Sequence, residues 1–550
     1  MYEKRTLPNG VRMVYEHMPH VRSAAIGVWI GVGSRYESPS NAGSAHFIEH
    51  MLFKGTAQHT ASELAERMDA IGGQVNAYTT REGTCYYARV LDEHLDRAGD
   101  LLAEMLFTSN FAEADVANER GVIREEMDMY ADTPEDLVTE RLIGAAFPGT
   151  LGRPVLGRPA TIERLTGARL RAFQLAHYIA PRIVVAVSGS FTEENLAHLA
   201  AHFSWLPARP DLTMRRGSYT PAFTLKRKAI EQNQISIGFP GLPTGSEARF
   251  TMALLSSILG GNMSSRLFQT VREKNGLCYA VYSYTAGFLD CGMFAVSAAV
   301  GRETEQRALA LIRDELDRFR TDGVTQTELD RAREQVHASV LMAEESTAAR
   351  MNKLGYSELY LGRVLSADEV LARADGRGRD GSALCHIGKA AVGLLRHGVD
   401  AAVVHGVDDG GGSGNGGQDV VFLHALPDGA GDVLRKQHGG VHGAEKLLHR
   451  GRTRTLGADA EALQLPLKGV GAFQCGTPIV FAGIQRFQHL GKVHTLLPVH
   501  ALFQFQIVIT HLISSQVNLW LPAFAGEPMM YRGNFIHAKP LAAPEALQNP

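Results

Sequence analysis

The sequence predicts two copies of an α+β domain followed by a tail of different character, and three observations carry this. One order of elements, a strand pair and then two long helices, occurs before residue 207 and again after residue 221. Between the copies, Pro207, Pro210 and Pro221 bracket a polar stretch, Ala208 to Tyr219, that reads as a linker. At about residue 375 the composition changes: residues 376–550 hold 12 of the 22 His and 27 of the 57 Gly but only a small share of the acids. The expected organisation is a first domain over 1–207, a linker over 208–221, a second domain over 222–375 and a Gly/His-rich tail over 376–550.

In the first copy, Thr6 to Tyr15 reads as a hairpin turning at Asn9-Gly10, a pair that tolerates the positive φ of a tight turn. Ala24 to Val32 is an apolar, β-branched strand, and Ala45 to Phe53 a short amphipathic helix stopped at Lys54-Gly55. Thr60-Ala61-Ser62-Glu63 is a capping box that opens a helix ending at Gly72-Gly73. Val75 to Tyr78 and Cys85 to Val90 are strands, Asp92 to Phe107 and Glu113 to about Tyr130 helices. Ile183 to Ser188 is a buried strand, and Glu193 to Phe203 closes the domain as a helix.

The second copy repeats this order. Gln234 to Gly238 is a strand, Phe250 to Leu259 a helix, and Tyr279 to Ala286 with Gly292 to Val300 a strand pair. Glu303 to Phe319 is a long helix stopped at Asp322-Gly323, and the capping box Thr325–Glu328 opens another that runs to about Met351. After the equivalent helix the first copy has a further strand and helix. The second copy runs out near Asp375 without them, so it is expected to be truncated.

The 55 basic and 58 acidic side chains leave a net charge of −3, so there is no global basic footprint for nucleic acid. Hydrophobic residues make up 45% and charged residues 21%, as in soluble globular proteins, and five cysteines exclude a disulfide scaffold. MYEKRTLPNGVRMVYE carries no apolar signal core and lacks the Arg/Ser-rich, acid-poor pattern of a transit peptide. The apolar stretch Leu496 to Ile513 is interrupted by His500, Gln504, Gln506 and His511, which are costly in lipid. A cytoplasmic chain without a membrane span is expected.

His46-Phe47-Ile48-Glu49-His50 is the feature that points to chemistry. On a helix, positions i and i+4 share a face, so both imidazoles can reach one ion, with Glu49 beside them as base for a bound water. A catalytic zinc takes three protein ligands and keeps one position open. Glu119 and Glu126, at i and i+7 on the later helix, can face one way, but Glu125 is adjacent and spacing alone does not choose between it and Glu126.

HFIEHMLFKGT, IGGQVNAYTTREGTCYYARVL and NERGVIREEM together resemble the pitrilysin-type (M16) zinc peptidases, near the β subunit of mitochondrial processing peptidase and its bacterial processing-protease relatives. The resemblance covers roughly residues 1–375. It implies domains with mainly antiparallel sheets packed by helices, and an inverted H-x-x-E-H zinc motif. One Zn²⁺ per chain would be held by His46, His50 and Glu126, which settles the choice over Glu125. Glu49 would act as general base and Glu119 as a supporting acid. In VREKNGLCYAVYSY the family's substrate-binding Arg and oxyanion-stabilising Tyr fall on Arg272 and Tyr279. The strand around Asn76 and Ala77 would accept substrate as an added β-strand. The implied activity is zinc-dependent endopeptidase cleavage of peptides or presequence-like segments, by a homodimer or a heterodimer with a related chain. The alternatives are a non-catalytic scaffold subunit of the same fold, or a damaged product that binds zinc without cleaving.

From Gly376 the chain departs from that family's pattern, which suggests a shifted reading frame, a fusion or a disordered tail. Within it, Gly410 to Gly417 reads as a flexible linker. His438 and His442 stand at i and i+4, but Gly439-Gly440 between them argues against a helical metal site.

Overall fold

The computed structural model describes residues 2–210, 214, 216–376 and 402–407. The strands in chain order are β1 (Glu3–Thr6), β2 (Arg12–His17), β3 (Ser23–Ile30), β4 (Gln74–Thr79), β5 (Thr84–Leu91), β6 (Ile183–Gly189), β7 (Phe223–Arg227), β8 (Asn233–Pro240), β9 (Cys278–Gly287), β10 (Gly292–Val300) and β11 (Ala402–Val407). The helices of the first copy are α1 (Ser44–Met51), α2 (Ala61–Ala70), α3 (Leu95–Thr108), α4 (Glu113–Asp132), α5 (Pro134–Ala146), α6 (Pro159–Ile162), α7 (Gly167–His177) and α8 (Glu193–Phe203). Those of the second are α9 (Arg249–Gly260), α10 (Glu305–Asp322), α11 (Gln326–Ala343), α12 (Thr347–Leu361) and α13 (Ala367–Ala374).

The strands form two sheets, ordered β1-β2-β6-β3-β5-β4 and β7-β11-β8-β10-β9. Apart from the added β1, the two orders are the same when the strands of each copy are matched in sequence. In both, the last strand lies parallel to the first and antiparallel to the second: β6 to β2 and β3, β11 to β7 and β8. Mainly antiparallel sheets with helical cover, duplicated along the chain, are therefore what the structure contains.

Two expectations are corrected. The second copy is not without its closing strand: β11, at 402–407, fills that place, so a domain boundary at Asp375 cuts the sheet. The run AVVHGV is short and sits among glycines, which hid it from a search for long periodic elements. The helix expected from Thr325 to Met351 is two helices, broken over Glu344–Ser346, where the Ser346 side chain accepts from the Ala349 N–H and starts α12. The rest of the tail, including Gly410–Gly417, His438, His442 and any disorder expected there, lies outside the described residues. No described helix is long and apolar enough to cross a membrane.

Each half covers one face of the other's sheet. Alternation along β6 shows this: Ile183, Val185 and Val187 join the core with α1, α3 and α8, whereas Val184 and Ala186 face Met351 and Leu354 of α12. Reciprocally, Met293 and Ala295 of β10 pack on Val138, Leu142 and Ile143 of α5, while Phe294, Val296 and Ala298 join the second core. Glycine permits the close approach of α12: a Cβ at Gly355 would lie 2.0 Å from Trp29 Nε1, and one at Gly27 would lie 2.3 Å from Met351 Sδ. A buried ion cluster ties the β9–β10 loop to the first half. Arg35 pairs with Glu82 and donates to Asp290 (2.7 Å), Glu82 accepts from the Leu289 N–H (2.9 Å), and Asp290 also accepts from the Gly217 N–H (2.9 Å).

Candidate metal centre

The site is built on α1. Glu37 fixes the start of that helix, accepting the N–H groups of Gly43 (2.7 Å) and Ala45 (2.8 Å) with its two carboxylate oxygens. Gly43, at φ +95°, turns the chain into the helix in a conformation other residues resist. One helical turn then carries His46, Glu49 and His50, with His46 buried and the two imidazole centroids 4.7 Å apart.

α4 packs against α1 and brings two carboxylates. Glu126 Oε2 lies 3.5 Å from His46 Nε2 and 3.5 Å from His50 Nε2. Tetrahedral zinc with bonds of about 2.0–2.1 Å holds its ligand atoms about 3.3 Å apart. Both nitrogen–oxygen distances therefore match the spacing a tetrahedral ion needs, and the three ligand atoms all lie within 4.8 Å of one another. Glu126 Oε2 is buried without a hydrogen-bond partner, a costly state that a cation between the three groups would relieve. His50 Nδ1 lies 3.0 Å from Glu119 Oε2, so Glu119 accepts the Nδ1 proton, and the proton given up on binding an ion is the one on Nε2, which faces Glu126. Lys54 Nζ donates to the other Glu119 oxygen at 2.8 Å. In space it is Glu126, not Glu125, that joins His46 and His50 in the cluster.

Glu49 is half-buried beside this cluster, and one of its oxygens accepts the Thr79 hydroxyl from β4. Asn76 and Ala77 lie on the same strand, at the sheet edge, where Asn76 Oδ1 accepts the Ala77 N–H at 2.8 Å. Arg272 and Tyr279 stand apart from this cluster, with no described contact to its residues. Arg272 lies in the last turn of a π-helical segment, Phe268–Glu273, and its guanidinium lies 4.9 Å from the Tyr279 ring on β9, the edge strand of the second sheet. Tyr279 is 74% exposed. Sequence reasoning missed Glu37, Lys54 and Thr79. The signal for Lys54 was its place four residues beyond His50, and for Thr79 its place two beyond Ala77 on one strand face. Nothing local marked Glu37.

Burial sets the pKa values, modified by neighbours. Burial and the nearby His50 lower His46 to about 4, so it is neutral. Burial opposes a charge on His50, but the hydrogen bond to Glu119 and the acids Glu126 and Glu49 outweigh it and raise the ring to about 9. Burial also resists ionisation of Glu119 and Glu126. Glu119 is nevertheless held below the usual carboxylate range by His50 and Lys54, and Glu126 by His50 and His46. Burial pushes Glu49 up to about 7, against the pull of the Thr79 hydroxyl.

Fold and site together define a two-domain metallopeptidase architecture with its ligand cluster in the first half. Residues 12–158 match the model described as insulinase (peptidase family M16), and residues 164–336 match the peptidase M16 inactive domain. An uncharacterized zinc protease of Bacillus subtilis, YmxG, is 41% identical over 373 residues, covering 68% of this chain and 91% of its own length. One of Streptomyces coelicolor is 43% identical over 381 residues, with 67% and 83% covered. Among solved structures, a peptidase M16 inactive domain from Pseudomonas fluorescens superimposes with a TM-score of 0.68 at 20% identity, covering 74% of this chain and 98% of its own. A protease from Helicobacter pylori gives 0.67 at 20%, covering 74% and 99%. The chain belongs to peptidase family M16. In the second half α9 follows β8 as α1 follows β3, but its sequence RFTMALLSSILG has neither His nor acid, so no second copy of this centre is built there. The matched stretch 164–336 begins inside the first structural half, since β6 belongs to the first sheet.

The proton on His50 predicts a pH dependence. An ion held through His50 Nε2 must displace a proton with a pKa of about 9, whereas His46, at about 4, is already neutral. Zinc affinity, measured by chelator competition, is expected to rise at least about tenfold per pH unit between about pH 6 and 8. A pH-independent affinity over that window would contradict the assignment.

Proposed function

We propose that the chain is a zinc-dependent endopeptidase acting on extended peptides or presequence-like segments. The observation that carries this is the convergence of His46 Nε2 and His50 Nε2 on Glu126 Oε2, at 3.5 Å each, with the carboxyl of Glu49 on the same helical turn. His46, His50 and Glu126 would hold one Zn²⁺. Bound there, the ion supplies the positive charge that polarises a carbonyl and lowers the pKa of a water toward about 7.

The chain's own groups do the rest. Glu49, poised near pH 7, takes the proton of the attacking water and returns it to the leaving amine, since a group whose pKa lies near the working pH serves in both directions. Thr79 fixes one Glu49 oxygen and leaves the other to the water. Glu119 keeps His50 in one tautomer. A substrate strand pairing with the open edge of β4 would take over the Ala77 N–H from Asn76, so that main-chain pairing rather than side-chain identity holds it. That mode favours extended peptides over folded proteins.

Glu49→Gln is expected to keep its zinc and lose about 10²–10⁴-fold in kcat/KM on a quenched fluorescent peptide. Normal cleavage by the metal-loaded variant would sink the mechanism.

Tyr279 and Arg272, stacked at an exposed sheet edge, suit a role across an interface. We propose that they serve the centre of a second, related chain, Arg272 binding its substrate and the Tyr279 hydroxyl donating to the developing oxyanion, a contribution of roughly 3 kcal/mol. Mixing Glu49→Gln with Tyr279→Phe chains should then restore part of the activity. Confirmed mixed dimers without any rescue would argue against action in trans.

A further inference from the structure

A second cluster of metal-binding groups lies between α3 and α8 and shares no residue with the centre on α1 and α4. The two helices run in the same direction: Asp96 accepts from Asn195 (2.8 Å), Asp100 meets His198 and His202, and Phe107 stacks edge-on against Phe203 and Trp205. Gly99 brings them close, since a Cβ there would sit 2.2 Å from Leu199 Cδ2. That close approach places Asp100 within reach of two imidazoles one turn apart on α8. His198 Nε2 lies 2.7 Å and His202 Nε2 2.8 Å from the same oxygen, Asp100 Oδ1, and the ring centroids are 5.0 Å apart.

An ionised Asp100 has no proton to give, so each imidazole turns an Nε2–H toward it. Two imidazole nitrogens around one carboxylate oxygen are also the donor set preferred by borderline divalent cations such as Zn²⁺. We propose that Asp100, His198 and His202 form a second metal site that takes Zn²⁺ and fastens α8 to α3. On binding, each imidazole passes its Nε2 proton to Nδ1 or to solvent, and the N···O spacings widen to about 3.3 Å, a movement within the reach of side-chain rotation. Asp100 and His198 are 45% and 42% exposed, which gives the ion an entry path and leaves room for water to complete its shell. In peptide cleavage the site has no part; its effect is on the stability of the first domain.

The test uses the full chain, stripped of metal by chelator and then dialysed against Zn²⁺. Wild type should bind one more zinc per chain than His198→Gln/His202→Gln. Its thermal unfolding temperature should keep rising beyond the first equivalent, while that of the variant stays level. Histidines elsewhere are common to both chains, so the difference reads this site alone. Asp100→Asn, which retains the packing, should weaken the second zinc at least tenfold. Equal zinc counts in wild type and a folded double variant would overturn the proposal. Should the double variant fail to fold, an unchanged second affinity in Asp100→Asn would overturn it instead.

Discussion

Both faces of each sheet must be buried, and each half of the chain covers a face of the other. β6 and β10 are buried along their whole length, so neither sheet could stand with one face in water. α12 supplies the cover for the first sheet and α5 for the second. The consequence reaches the metal centre. α4, which carries Glu119 and Glu126, runs through Thr133 directly into α5, and α5 is docked on the second sheet. Glu126 is thereby positioned by packing from both halves, while His46 and His50 depend on the first half alone.

Within the centre, buried charges are arranged as a chain of mutual compensation. Glu119 is shared between Lys54 and His50, and His50 between Glu119 and Glu126. Without such an imidazole partner a carboxyl at that depth is harder to ionise, as the upward shift of Glu49 shows. The contrast is functional: the acids that face histidines stay charged and suit ligation, whereas the one that faces a hydroxyl sits near neutrality and suits proton transfer. Glu37 holds the N-terminus of α1 through its hydrogen bonds to the Gly43 and Ala45 N–H groups, which keeps the three residues of that turn aligned.

Much of this was legible in the residues themselves. The i, i+4 spacing of His46 and His50 and the i, i+7 spacing of Glu119 and Glu126 are local facts of helix geometry, and the helices formed where the capping boxes at Thr60 and Thr325 said they would begin. The boundary between α11 and α12 was hidden because Glu344–Ser346 contains neither Gly nor Pro. α5 and its docking were not seen at all, since what it covers lies some hundred and fifty residues later in the chain, beyond the range of any periodicity. β11 was missed for a related reason: six residues in a Gly-rich setting acquire strand identity from the open place between β7 and β8, not from their own pattern. Choosing Glu126 over Glu125 likewise needed either a resemblance or a structure.

The central claim is that two imidazoles and one carboxylate of the first half hold a single zinc ion. Zinc-edge X-ray absorption on the full-length His198→Gln/His202→Gln chain carrying one equivalent of zinc, in which the imidazoles of the second cluster are absent, tests it most directly. The account predicts a first shell of nitrogen and oxygen only, at about 2.0–2.1 Å, with outer-shell scattering from two imidazoles. A sulfur shell near about 2.3 Å, or scattering from three or more imidazoles, would contradict it.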